Sequence, residues 1–147
     1  MYNVERLLRK FATAATIVPQ PVIQLAREKS KLGVIYYGST SPAMKEALHD
    51  LDKQGVHIDA MRLRAFPFPE SVSRFIADHD LVFVVEQNRD AQMRSLLVNE
   101  LEVDPKRLVK VLHFDGTPIT ARFITRAIMD RLPSRLKARA QVEENVK

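Results

Sequence analysis

The chain has 147 residues, 46% of them apolar and 28% charged, which fits one domain with a core of its own. It contains no cysteine, and this excludes a disulfide framework, a thiolate metal site and any iron–sulfur cluster ligated by this chain. The net charge of +5 is uneven: residues 1–32 carry six Lys/Arg against two Asp/Glu, residues 33–118 ten against thirteen, and residues 119–147 seven against three. Basic flanks of this kind are read as solvated faces of terminal helices. They lack the interleaved aromatics of a nucleic-acid surface, so no nucleic-acid partner is expected.

In chain order, "VERLLRKFATAATIV" places Val4, Leu7, Leu8 and Phe11 at helical spacing and predicts a helix over 3–15. Pro19 and Pro21 end it, and Val22–Ala26 follows as a short edge strand. The run "GVIYYG" (33–38) reads as a strand. "STSPAMKEALHDLDKQG" (39–55) reads as a helix, with Ser41 as N-cap, Pro42 at the first helical position, Met44, Ala47, Leu48 and Leu51 inward, and Gly55 at the C-terminus. Residues 56–66 alternate, with Val56, Ile58 and Ala60 against His57 and Asp59, as in a strand with one wetter face.

A helix beginning in "PFPES" turns Val72, Phe75 and Ile76 inward. "LVFVVE" (81–86) is the most apolar strand, and the helix in "RDAQMRSLLVNEL" buries Met93, Leu96 and Leu97. Residues 108–114 form the last strand, and 120–132 the last helix with Ile124, Ala127 and Ile128 inward. The expected organisation is a helical arm (1–20), an α/β domain (21–132) and a polar tail (133–147).

Strand–helix alternation repeated four times predicts an α/β sandwich with a mostly parallel sheet and right-handed crossovers. Function in such sheets gathers at the carboxyl edge of the strands. Three polar clusters fall there: Gly38, Ser39 and Thr40; Glu86, Gln87, Asn88, Arg89 and, one turn on, Gln92; and Asp115 with Gly116. "YGSTS" (37–41) has the glycine, hydroxyls and helix N-terminus of a phosphate cradle. It has neither the lysine nor the second glycine of a nucleotide-binding loop, so a plain helix start competes with the cradle.

His49 and His79 are assigned to solvated helix faces or ends, and His57 and His113 to satisfied structural positions on strands. None has a metal-ligand partner at i+2 or i+4. The carboxylate pairs in "HDLD" and "ADHD" read as solvated helix surface, and no nucleophile elbow is present. Glu86, at the end of a buried strand, must be paired or hydrogen-bonded. Arg89, Asn88 and the N–H groups of the next helix are its candidate partners.

The ordered set "RLLRKFATAATIVPQPVI", "GVIYYGST", "MRLRAFPFP", "VFVVEQNRDAQMRSLLVNE" and "VLHFDGTPITARFI" resembles the C-terminal, transketolase C-terminal-like domain of the α subunit of 2-oxoacid:ferredoxin oxidoreductases, most closely the 2-oxoglutarate type. The resemblance spans about residues 1–132. It implies a three-layer α/β/α sandwich with a five-stranded mixed sheet whose first strand is antiparallel. The family's enzymes use thiamine diphosphate, Mg²⁺, an iron–sulfur cluster and coenzyme A, decarboxylate a 2-oxoacid oxidatively and pass electrons to ferredoxin.

The family's GDG…NN thiamine fingerprint is missing here, since the one DG is "FDGTP" with no Asn pair following. The chain is therefore expected to be a fragment or excised domain, inactive alone and binding no cofactor or metal itself. Its expected partners are the other α-subunit domains and a thiamine-binding β subunit, with ferredoxin reached through the complex. The ten residues of the three clusters would form an interdomain or subunit interface that, in isolation, a second copy could cover as a homodimer. A soluble cytoplasmic protein is expected, with no membrane partner. The competing expectation is a free-standing module binding a phosphorylated or nucleotide-like ligand at the 37–41 turn.

Overall fold

The computed structural model describes residues 2–134. Helix α1 (Tyr2–Ile17) leads into the short strand β1 (Val22–Gln24). Then come β2 (Leu32–Tyr37), α2 (Ser41–Lys53), β3 (Asp59–Leu63), α3 (Glu70–Asp78), β4 (Leu81–Glu86), α4 (Gln92–Leu101), β5 (Leu108–Leu112) and α5 (Ala121–Arg131). The five strands form one sheet in the order β1-β3-β2-β4-β5. Strands β2 to β5 are parallel, and β1 runs antiparallel along β3 with Val22 opposite Arg62. This is the mixed five-stranded α/β sandwich that the resemblance implied.

Both faces of β2 and β4 are covered, which is why these strands read as unbroken apolar runs. Successive side chains point to opposite faces. Val34, Phe83 and Val85 meet Met44, Ala47 and Leu51 of α2 and Ile124, Ala127 and Ile128 of α5. Ile35, Val82 and Val84 meet Val72, Phe75 and Ile76 of α3 and Leu97 of α4. The inward stripes read from spacing for α2 to α5 are thus the buried ones, with Met93, Leu96 and Leu48 half-buried, while the stripe of α1 is exposed.

Several boundaries differ from expectation. Ser41 is not an N-cap. Residues Gly38–Thr40 form a turn of 3-10 helix, Thr40 occupies the cap position, and the Ser41 hydroxyl donates back to the Gly38 carbonyl at 2.9 Å. Strand β3 begins at Asp59, because β2 offers its first partner there, Gly33. Val56 and Ile58 are buried ahead of the ladder. Strand β5 stops at Leu112 as the following segment turns away, although the His113 N–H still reaches the Glu86 carbonyl. Helix α4 starts at Gln92, three residues later than expected, after Ala91 in the left-handed region (φ 52°).

His79 is the clearest correction. The polar "ADHD" suggested a solvated helix end, yet His79 is buried. Its ring lies 4.3 Å from that of Phe75, its Nδ1 is 2.6 Å from the Phe75 carbonyl and its Nε2 is 3.1 Å from Asp59 Oδ2. Gly33 makes the room: a Cβ there would lie 2.9 Å from Phe75 Cε1 and 3.2 Å from His79 Cγ. His57 sits in the loop before β3 with Nδ1 2.8 Å from Asp52 Oδ1, and His113 is buried just beyond β5. The tail from residue 135 onward lies outside the described residues.

Candidate functional site

The parallel strands β2, β4 and β5 end on one edge, and the three polar clusters follow them there. Gly38 leaves β2 with φ +57° and open space where a Cβ would be, so glycine serves the turn and not a close contact. The Gln87 amide donates to Ser39 Oγ at 3.0 Å and to Thr40 Oγ1 at 3.2 Å, joining the first cluster to the second. The third cluster is a separate turn. Asp115 accepts from the Thr117 N–H (2.9 Å) and hydroxyl (2.7 Å), and these bonds, with His113 nearby, hold its carboxyl below the usual carboxylate value.

Glu86 is fully buried at the end of β4. Its Oε1 accepts from the Arg94 N–H at 3.0 Å, and its Oε2 from the Met93 N–H at 2.7 Å and the Asn88 amide at 2.8 Å. Two of the donors that a helix start leaves unsatisfied therefore end on this carboxylate, where the helix dipole also favours negative charge. Asn88 completes the cap, its Oδ1 accepting from the Asp90 N–H at 3.1 Å and the Gln92 N–H at 3.3 Å. Arg89, a candidate partner of Glu86 by sequence, points elsewhere. It is exposed and bonds its neighbour Asp90 at 2.8 Å.

The edge therefore has two layers. Glu86, Asn88 and Thr40 are consumed inside the fold, while Gly38, Ser39, Gln87, Arg89, Gln92, Asp115 and Gly116 remain exposed. Tyr37 is a member of this site that the sequence reading left out. It is half-buried beside Asn88 (3.5 Å), and burial first, then the Glu86 carboxylate, raise its phenol above the ordinary value while the Asn88 bond opposes them. Two exposed aromatics on the same edge were also missed: Phe66, after β3, and Phe114, after β5. A large aromatic in a loop after a strand was their available signal.

Glu86, the one buried carboxylate among the described residues, already accepts three hydrogen bonds. Among the described residues no group of three or more His, Cys, Asp or Glu could hold a metal. Grooves of about 200 and 520 Å³ flank β1 and one of about 560 Å³ borders β5, but none is lined by Ser39, Gln87 or Arg89. No helix among the described residues is long and apolar enough to cross a membrane.

Comparison with known proteins is consistent with this geometry. An α subunit of 2-oxoacid:ferredoxin oxidoreductase from Saccharolobus solfataricus is 25% identical over 119 residues, covering 78% of this chain and 18% of its own length. The chain thus spans about a fifth of that curated relative. A 2-oxoglutarate:ferredoxin oxidoreductase from Magnetococcus marinus, solved with 2-oxoglutarate, coenzyme A and succinyl-CoA bound, superposes with a TM-score of 0.74 at 21% identity, covering 88% of this chain and 23% of that one. A split-gene transketolase, an inactive β4 tetramer, gives 0.58 at 20% identity over 79% of this chain and 42% of its own. The family model of the pyruvate:ferredoxin oxidoreductase core domain II matches residues 30–120, from the start of β2 to the cap of α5. The chain belongs to that family, as a domain of the 2-oxoacid:ferredoxin oxidoreductases.

Proposed function

We propose that this chain is a structural and assembly domain of the α subunit of a thiamine-diphosphate-dependent 2-oxoacid:ferredoxin oxidoreductase. The parent reaction is oxidative decarboxylation of a 2-oxoacid, with 2-oxoglutarate as the proposed substrate, to the acyl-coenzyme A with electrons passed to ferredoxin. The domain contributes position and no chemistry of its own. Its carboxyl edge, with Gly38, Ser39, Gln87, Arg89, Gln92, Asp115 and Gly116 outward, packs on sister α-subunit domains or on a thiamine-binding β subunit in the cytoplasm. Thr40, Glu86 and Asn88 shape that surface from beneath.

One observation carries the reading: the buried carboxylate at the end of β4 is spent on capping α4, so the edge is built to be rigid and not reactive. Thiamine diphosphate with Mg²⁺ does not fit the residues present. Asp90 is paired with Arg89 and Asp115 with Thr117, Glu86 is enclosed, and the chain has no cysteine for a cluster. No step of the reaction is assigned to these side chains.

Arg89 tests the proposal, since its planar fork of donors suits a carboxylate or carbonyl across an interface. In the isolated chain Arg89→Ala should shift stability by no more than about 0.5 kcal/mol. In the assembled enzyme the same change should loosen the subunits, read as dissociation by native mass spectrometry. Unfolding of the isolated chain, or an assembly indifferent to the change, would contradict the interface.

A further inference from the structure

Strand β1 is held on the sheet with little apolar burial. Its three residues are all exposed, and among the described residues it pairs with β3 alone. Ile23 and Leu25 line an open groove of about 520 Å³ together with Phe75 and His79, so they do not close down on α3.

One carboxylate reaches past the end of the β1–β3 ladder. Asp59, the first residue of β3, accepts the Ala26 N–H on Oδ1 at 2.7 Å and sets its Oδ2 3.1 Å from His79 Nε2. The other ring nitrogen, Nδ1, lies 2.6 Å from the Phe75 carbonyl. Both side chains are largely closed to water, at 13% and 5% exposure. A carbonyl and an ionised carboxylate can only accept, so a ring set between them donates from both nitrogens, as an imidazolium facing the carboxylate. The neighbouring charges leave this pair alone. Lys31 donates to the Asp78 carbonyl at 3.0 Å, and Arg107 to the carbonyls of Ala77 and His79. Arg74 is bonded to Glu70 at 2.8 Å, and Lys29 and Asp78 lie along the groove.

We propose that Asp59 and His79 form an ionic latch that fastens the end of β1 to the body of the domain. Three elements meet in it: β3 supplies the carboxylate, the residue just past α3 the cation, and the chain leaving β1 the N–H. An enclosed pair stripped of one member leaves an uncompensated charge, so loss of Asp59 frees β1 as a local opening unit. The release ends at Ser30, whose Oγ donates to the His57 carbonyl at 2.6 Å and accepts the Leu32 N–H at 2.9 Å.

Nuclear magnetic resonance of the isotope-labelled full chain tests the latch. At neutral pH both His79 ring nitrogens should carry a proton, and a bare ring nitrogen in the unmodified chain would overturn the ionic form. Asp59→Ala removes both contacts. Amides at 22–26 should then exchange at least about tenfold faster, the effect of losing a hydrogen bond to a charged group, while those of Leu32 and β4 stay slow. Asp59→Asn keeps an acceptor for Ala26 and offers an N–H to Nε2 of a neutral ring, so β1 should stay closed while the ring loses one proton. Unchanged exchange at 22–26 in the Asp59→Ala chain would overturn the latch. Faster exchange spreading into β4, or unfolding of the whole chain, would overturn the local release. An Asp59→Asn chain that opens as far as Asp59→Ala would overturn the assigned hydrogen bonds.

Discussion

Glu86 is where sequence and structure meet most closely at the scale of single residues. A carboxylate ending an apolar strand requires partners, and that much is legible in "LVFVVEQNRD". The choice among partners was not, because it depends on how residues 87–91 bring the start of α4 back over the end of β4. The structure gives the carboxylate to two α4 amides and Asn88 and leaves Arg89 outside. Replacing Glu86 with Gln keeps the shape and turns one acceptor into a donor facing a donor. The expected cost is about 1–3 kcal/mol, measured by chemical denaturation. An unchanged midpoint would remove Glu86 from its capping role.

The same substitution has a spectroscopic consequence. The Tyr37 phenol is raised by burial and by the Glu86 charge. A raised acid stays protonated in the fold, so its contribution to stability is complete below the ordinary tyrosine value and lost as pH rises through the folded value. Loss of the Glu86 charge should move Tyr37 ionisation to lower pH, followed as the ultraviolet absorbance difference from a Tyr37→Phe control.

At the scale of elements, periodicity predicted the inward stripes of α2, α3 and α5 because those helices meet the sheet through a regular face. It failed where tertiary contacts set the outcome. A glycine inside a strand signals a close approach, but "LGVIYY" does not say that Phe75 and His79 are what approach Gly33. Likewise the α1 stripe was legible as helical, while its exposure among the described residues was not, since periodicity is the same whether or not a partner is present. Gly33→Ala should force Phe75 and His79 off the sheet and cost about 1–3 kcal/mol as overpacking, visible as a lower melting temperature. No change would mean the two rings yield freely.

At the scale of the whole molecule, the five-stranded mixed sheet, the antiparallel edge strand and the layered helices were legible through the family resemblance and the strand–helix alternation, while the strand order was not. The inward or outward sense of the ten predicted edge residues was not. Position at a strand end says that a side chain reaches the edge, and hydrogen bonding then decides whether it is spent there or offered outward. The proposed interface is a rigid carboxyl edge, bare in the isolated chain and covered in the assembled enzyme. Hydrogen exchange of the backbone amides, compared between the isolated chain and the complete oxidoreductase, tests this most directly. Amides at 38–40, 87–92 and 115–116 should gain protection on assembly, while those of β4 should be slow in both states. Equal exchange at that edge in the two states, with new protection confined to other surfaces, would contradict it.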